Sequence, residues 1–339
     1  MRKELTFPVF LRILTGYSLL FIGVLAAAPL FGAETLDPHR VLKGLRGLTT
    51  VEAHIFFQQR IPRVLLGACA GGSLALVGAV FQTVFRNPLA EPFTLGITGG
   101  AVVGAVAAIS IPGLWISWGP FSTVQLLSLA GALLALCFLY VISRKPEGMA
   151  TDTLLLAGIT VNILSSGIIL FIRYMATPNL LVEIDRWFIG GIDVIGYTGL
   201  TTILPFFIPA LVVLFPLAYA LNTIVLGDEL AMGYGVDVKS VHIRSFTGGG
   251  LLTVSVVSLA GPIGFVGLVV PHIVRRISGY DHRIVLPASF LLGGAFLVVC
   301  DTVARTIIAP TEMPVGIITA LIGAPIFIKI LFRNRMQKH

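Results

Sequence analysis

Charge is what this chain has least of. Of 339 residues only 12% are Asp, Glu, Lys or Arg, while 56% are hydrophobic and the mean hydropathy is +0.96. Soluble domains carry about 25% charged residues, so an ordinary soluble domain is excluded. Cysteine is scarce too. Cys69, Cys137 and Cys300 all fall inside apolar runs, where they read as small packing residues with no disulfide. There is no G-x-x-x-x-G-K-[ST] stretch, so ATP is not bound here by that loop. No His/Cys cluster has metal-ligand spacing, and His272 alone reads as an interfacial histidine. The middles of the apolar runs hold no Asp, Glu, Lys or Arg. Ion-coupled carriers commonly place ionisable groups there, which counts against the main rival reading, an ion-driven secondary transporter of a small solute. A membrane-embedded enzyme or scaffold would need a catalytic constellation or a large docking domain, and neither is visible.

What is present is a series of apolar runs, several approaching or exceeding the ~18 residues needed to span a bilayer. A transmembrane barrel would show short alternating segments instead. The expectation is an all-α polytopic membrane protein with about ten spans, near 11–31, 63–84, 93–111, 122–142, 153–175, 199–220, 244–260, 262–277, 284–304 and 314–333. The first run is too long for the core of a signal peptide and lacks a convincing cleavage site. An even number of spans puts both termini on one side. With both in the cytoplasm, 15 of the 23 basic residues and 8 of the 16 acids lie inside, leaving net charges of +7 inside and 0 outside. Lys and Arg concentrate on the cytoplasmic side of membrane proteins. The basic balance therefore speaks of orientation, with no implication of nucleic acid.

Trp115, Trp118 and Trp187 then fall in external loops, and Tyr140 and Tyr219 near internal span ends, all aromatic-belt positions. The longest external loop, 32–59, places Val41, Leu42, Leu45 and Leu48 on one side of a short interfacial helix or runs as plain loop. Small-residue spacing at Gly67/Gly71, at Gly100/Gly104 and at 248–250 lets helix backbones approach in lipid. No repeat or linker divides the chain, so 1–339 reads as a single membrane domain.

Several motifs stand out. QRIPR at 59–63 opens the second span with Arg60 and Arg63 three residues apart on one helical face and a proline near the helix start. It reads either as a basic rim for acids on an external partner or as snorkelling anchors. FRNPLAEP at 85–92 is a tight internal turn whose prolines break the flanking helices; it is a structural turn or a constriction. Any of Thr151, Asp152 and Thr153 suits the N-cap of the fifth span. The polar stretch 227–244 reads as a helical hairpin. Asp228 caps a short helix through Tyr234, Gly235 takes the position after its C-cap, and Asp237 caps the next helix. Exposed Met232, Tyr234 and Val236 make a knob for a partner's groove. GPIGFVG at 261–267 is too rich in Gly and Pro for a regular helix, and irregular backbone at that depth must be covered by protein or line a cavity. Asp301 and Arg305 are an i,i+4 pair at the outer end of the ninth span, and Glu312 precedes the tenth. Asn162, the main mid-span polar side chain, is explained by a helix–helix hydrogen bond.

Together these stretches resemble one family. RIPRVLLGACAGGSLALVGAVFQTVFRNPLAEPFTLGITGGA, LLLAGIT, LGDELAMGYGV, GPIGFVGLVVPHIVRRISGYDHR and DTVARTIIAPTEMPVGIITALIGAPIFIKIL are similar to the FecCD permeases of type II ABC importers for iron–siderophores, haem and cobalamin. The likeness runs from Gln59 onward. It implies a ten-span permease fold paired as a homodimer, with the path at the dimer interface, in a bacterial or archaeal cell (inner) membrane. It implies two cytoplasmic ATP-binding subunits docked on 227–244, in contact with Gly227, Asp228, Glu229, Met232, Tyr234, Gly235 and Val236. ATP and Mg would sit in those subunits, with no cofactor in this chain and no enzyme activity of its own. An extracytoplasmic binding protein would deliver the chelate, its acids meeting Arg60, Arg63 and Arg305. Asn87 and Leu89 match one cytoplasmic gate and Thr151 and Asp152 another; the acid at Asp152 departs from the small hydroxyl residue expected there. An iron chelate is the favoured cargo, because that branch of the family is the broadest.

Overall fold

The computed structural model describes residues 6–32, 34–45, 50–111, 113, 118–119, 121–145, 148–192 and 195–336. Leu48 and Trp115, and the terminal cations Arg2, Lys3 and Lys338, lie outside the described residues. The helices in chain order are α1 (Phe7–Ala27), α2 (Pro38–Leu45), α3 (Val51–His54), α4 (Ile61–Val84), α5 (Ile97–Ser110), α6 (Thr123–Ser143), α7 (Thr151–Met175), α8 (Pro178–Ile189), α9 (Thr198–Leu214), α10 (Ala218–Ile224), α11 (Asp228–Gly233), α12 (Val238–Ala260), α13 (Val266–Ser278), α14 (His282–Ala304) and α15 (Val315–Met336). Between α6 and α7 two-residue strands, β1 (Arg144–Lys145) and β2 (Gly148–Met149), pair antiparallel with Arg144 opposite Met149.

Each of the ten expected windows holds a helix. Among the described residues, seven helical stretches are long and apolar enough to cross a membrane: Phe7–Leu30, Val51–Val84, Thr123–Ser143, Thr151–Met175, Thr198–Ile224, Val238–Ala260 and His282–Ala304. α5 and the Val315–Ile330 stretch of α15 are apolar but shorter, and α13 has 13 residues.

α4 is the axis. Nearly all of it is buried, and it packs against α14, α13 and α12. The α4–α14 contact is backbone on backbone, because a Cβ at Gly71 would sit 2.3 Å from Gly293 O. The same device joins α5 to α6, where a Cβ at Gly104 would lie 2.0 Å from Leu127 O. Small residues thus set how closely these helices approach. By contrast α1 has no buried residue. It rests on α14 and is tied to α13 by Tyr17 Oη and Ser278 Oγ at 2.9 Å.

Pro62 does not mark a helix start. Helix runs from Val51 to Val84 without a break, through a π-helical turn at Ile55–Arg60. Proline has no N–H for the carbonyl four residues back. That carbonyl, Gln58 O, accepts from Gly196 N at 2.6 Å instead, and Phe57 O accepts from Tyr197 Oη at 3.1 Å. The wider turn frees both carbonyls and so fastens α4 to the segment before α9.

The aromatic positions divide. Trp118 and Tyr219 are exposed. Trp187 belongs to α8, where it packs on the buried Val102, Val106, Ile169 and Ile184. Tyr140 stacks on Phe246 with ring centroids 6.3 Å apart. For these two, packing inside the bundle replaces the expected belt role. The residues α2 spans match the expected short helix in the first long loop.

Candidate transport site

The polar groups gather at the two ends of the bundle. At the end where α4 begins and α14 finishes, an ion cluster is buried. Arg63 donates from Nε to Asp301 Oδ1 and Oδ2 at 3.1 and 3.0 Å, and from Nη2 to Oδ1 at 2.9 Å. Its Nη1 donates to Glu312 Oε2 at 2.6 Å. Arg305 lies one turn beyond Asp301, its Nε 3.8 Å from Asp301 Oδ2, and donates from Nη2 to Ala28 O at 2.8 Å. Asp301 and Arg305 are 2% and 3% exposed, so this is a desolvated network and not a surface pair. Arg60, also buried, donates to Pro29 O at 3.0 Å and to Glu34 O. The three arginines therefore face inward here, each with partners in its own chain. They line a cavity of about 940 Å³ together with Arg186, Glu183 and Glu312.

At the opposite end lies the hairpin. Gly227, with φ +120°, is the N-cap of α11. The expectation that Asp228 caps this helix is corrected. Asp228 is its first residue, and its carboxylate pairs with Arg86 and lies 3.9 Å from His242 Nε2. Arg86 comes from the turn after α4 and carries φ +46°, unusual for a residue with a Cβ. Gly235 follows the C-cap Tyr234 in the left-handed region, φ +80°. Asp237 caps α12 by accepting from Ser240 N at 3.0 Å, as its position predicts. Glu229, Met232 and Tyr234 are exposed, and so is Leu230. Val236 is not; it is half-buried against the core. The apolar knob is thus Leu230, Met232 and Tyr234.

The two expected gates lie near this end. Asn87 Oδ1 accepts from Leu89 N at 2.9 Å and closes the turn, leaving Leu89 exposed. Thr151 and Asp152 open α7, but neither they nor Thr153 is its N-cap. Ala150 holds that position without a side-chain cap, and Asp152 faces the helix's positive end from its first turn. Asn162 bonds to a connecting segment, donating from Nδ2 to Phe93 O at 2.9 Å, and not to another helix.

Nearby, Asp281 caps α14. Burial pushes its pKa up, but bonds from Arg283, from Asn222 Nδ2 at 2.9 Å and from Arg283 N outweigh burial and hold the pKa down at about 2.

A family model described as the FecCD transport family matches residues 19–333. The chain belongs to that family. FecCD relatives include an uncharacterized ABC transporter permease of Bacillus subtilis, YvrB, 41% identical over 83% of this chain and 79% of the relative. The cobalamin import permease BtuC of Halobacterium salinarum is 43% identical over 80% and 72% of the two chains. The hemin transport permease HmuU of Yersinia pestis is 34% identical over 96% and 97%. A solved chain in an inward-facing conformation, provisionally described as a metal-chelate type ABC transporter, superposes with a TM-score of 0.80 at 28% identity, covering 95% of this chain and 99% of that one. This FecCD chain is thus a multi-pass transport subunit of the ABC importer class and not an enzyme. Sequence reasoning did not single out Arg86 and Leu230 at the hairpin, or the Arg63 bonds that join Asp301 and Glu312. Leu230 had a usable signal, since it stands four residues before Tyr234 in DELAMGY, the spacing of one helical face.

Proposed function

We propose that this chain moves a metal chelate (a ferric siderophore or haem) or a cobalamin-type corrinoid into the cytoplasm, as one copy of a homodimer in a cell membrane. The Asp228 end faces the cytoplasm, in line with the bias of Lys and Arg toward that side. Two ATP-binding subunits dock on α11, and a binding protein delivers cargo at the Asp301 end, over the cavity lined by Arg60, Arg63 and Arg305. The observation that carries this reading is α11 itself. It is a short helix on a Gly-hinged polar hairpin, presenting Leu230, Met232 and Tyr234 to solvent at one end of an apolar bundle. An exposed apolar helix of that kind fits a partner's groove. The cobalamin and hemin permeases among the relatives support the cargo class.

The chain performs no chemistry in this mechanism. ATP and Mg belong to the docked subunits, and ATP must favour one arrangement of the permease over the other. Asn87, Leu89, Thr151 and Asp152 close the cytoplasmic side between turnovers. The test is purification of the native complex in mild detergent, with identification of the co-purifying chains and of any bound chelate by its visible spectrum. An ATPase and a binding protein in the same peak support the reading. A lone oligomer, from a preparation that keeps other such complexes intact, overturns it in favour of a secondary transporter.

A further inference from the structure

The segment between α4 and α5 starts as the expected turn and then goes somewhere the sequence did not announce. Arg86 and Leu89 are exposed, but Ala90, Glu91 and Pro92 are buried. With Oε2 3.4 Å from where a Cβ on Gly267 would sit, the Glu91 carboxyl lies beside the backbone N–H groups of Phe265 and Leu268. Those are donors at the start of α13, which intrahelical bonding leaves free, and a carboxylate there meets the positive end of the helix. The depth is clear from Gly267. A Cβ on it would lie 2.9 Å from Leu74 O, near the middle of α4, and 3.5 Å from Glu91 Cβ. So an acidic side chain does reach mid-bundle, from a connection that re-enters it. Phe265, whose N–H faces Glu91, holds φ +69°, a costly conformation for a phenylalanine.

The same segment is held at two more points. Arg86 pairs with Asp228 at the first residue of α11. Phe93 O accepts from Asn162 of α7. α13 is in turn fastened to α4. Gln82 Nε2 donates to Gly267 O at 3.0 Å, and Arg275 Nη2 donates to Ala79 O at 3.0 Å. One short stretch therefore touches the hairpin, the broken start of α13, and α7, with Asn87 and Leu89 between its first two attachments.

We infer that residues 86–93 are the link that carries movement of α11 to the non-helical start of α13, with Glu91 as the positioning residue that holds that start in register with the Asn87–Leu89 turn. Motion of α11 pulls on Arg86. The turn moves with it, and Glu91 transmits the displacement to the start of α13 through the N–H groups of Phe265 and Leu268 that face it. Arg86 and Glu91 act through other groups and need not touch the cargo.

The inference rests on α11 being the ATPase dock, so wild-type complex is assembled first; absence of an ATPase defeats that earlier reading before this one is reached. Coupling is then read in proteoliposomes as cargo moved per ATP hydrolysed. Glu91→Ala is expected to keep hydrolysing ATP while cargo per ATP falls about tenfold, the scale of one charge-assisted hydrogen bond. Glu91→Gln keeps an acceptor oxygen and is expected to recover most of that loss, which a purely volumetric role does not predict. The second arm uses the exposed pair. Arg86→Asp and Asp228→Arg are each expected to uncouple, and the double variant to restore coupling. An assembled Glu91→Ala complex with wild-type cargo per ATP overturns the inference. If that variant does not assemble, the double exchange decides: a complex that assembles but stays as uncoupled as the single variants overturns it equally.

Discussion

Arg63→Met should cost more stability than any exposed charge change on this chain. The reason lies in what it strands. Asp301 is 2% exposed and takes three contacts from two N–H groups of Arg63, the Nε–H shared between both oxygens. Once those are gone, the nearest cation is Arg305, with Nε at 3.8 Å and with Nη2 already given to Ala28 O. Removing one side of a buried ion pair costs about 3–5 kcal/mol, whereas an exposed pair is worth about 0–1 kcal/mol. The Arg63 side chain is 13% exposed and that of Glu312 39%, so the Asp301 contact sits near the first limit and the Glu312 contact near the second. The expected loss for Arg63→Met is about 3–5 kcal/mol, and for the control Glu312→Gln about 1 kcal/mol or less. Reversible unfolding by SDS in mixed micelles measures both. If Arg63→Met falls within about 1 kcal/mol of Glu312→Gln, the cluster is not desolvated as described and the reasoning fails.

Other outcomes follow from single contacts. Gly235→Trp should be accommodated for space, because nothing lies within 4 Å of a Cβ there, at a local backbone cost of about 1–2 kcal/mol from φ +80°, and should uncouple ATP hydrolysis from transport; unchanged uptake in vesicles would count against docking at α11. Gly78→Val should prevent folding, since even a Cβ would lie 1.9 Å from Gly267 O; a monodisperse peak on size exclusion would contradict the α4–α13 contact. Asp237→Ala removes the α12 cap and should cost about 1 kcal/mol, seen as faster amide exchange at residues 238–241. Asp281, held at a pKa of about 2, sits below the unfolded value of about 3.9. Its contribution is therefore complete above about pH 4 and is lost as the pH falls toward 2. Asp281→Asn should flatten the acid limb of the stability curve, and an unchanged limb would refute the assignment.

The helix windows, the glycine contacts and the Asp237 cap were readable because each depends on neighbours in the chain: apolar run length, small-residue spacing, a side chain three residues from an N–H. The ion cluster was only half readable. Asp301 and Arg305 are four residues apart, but Arg63 arrives from a separation of 238 residues, which no periodicity reports. The same limit explains Glu91. Flanking prolines mark a turn correctly, yet the depth to which the chain then returns is set by where α13 starts, over 170 positions later. Asp228 looked like a cap because it precedes a helix. The glycine before it, at φ +120°, takes that place and leaves the carboxylate for Arg86. Local rules named the right kinds of residue at the hairpin and missed which of them was already engaged.

The contrast between α4 and α1 has a consequence for how this sequence can drift. α4 is enclosed by its own neighbours, so the medium around it is side chains at fixed positions. A change there is judged by size: serine for alanine fits, while leucine for alanine does not, however hydrophobic. α1 has no buried residue, and much of its face is exposed outside the bundle, where a membrane would supply fluid lipid. There the rule inverts. Almost any apolar residue serves, whatever its volume, and polarity is what is rejected. Two helices of similar hydropathy in one chain should therefore carry opposite substitution records, one conservative in volume and the other conservative only in oiliness.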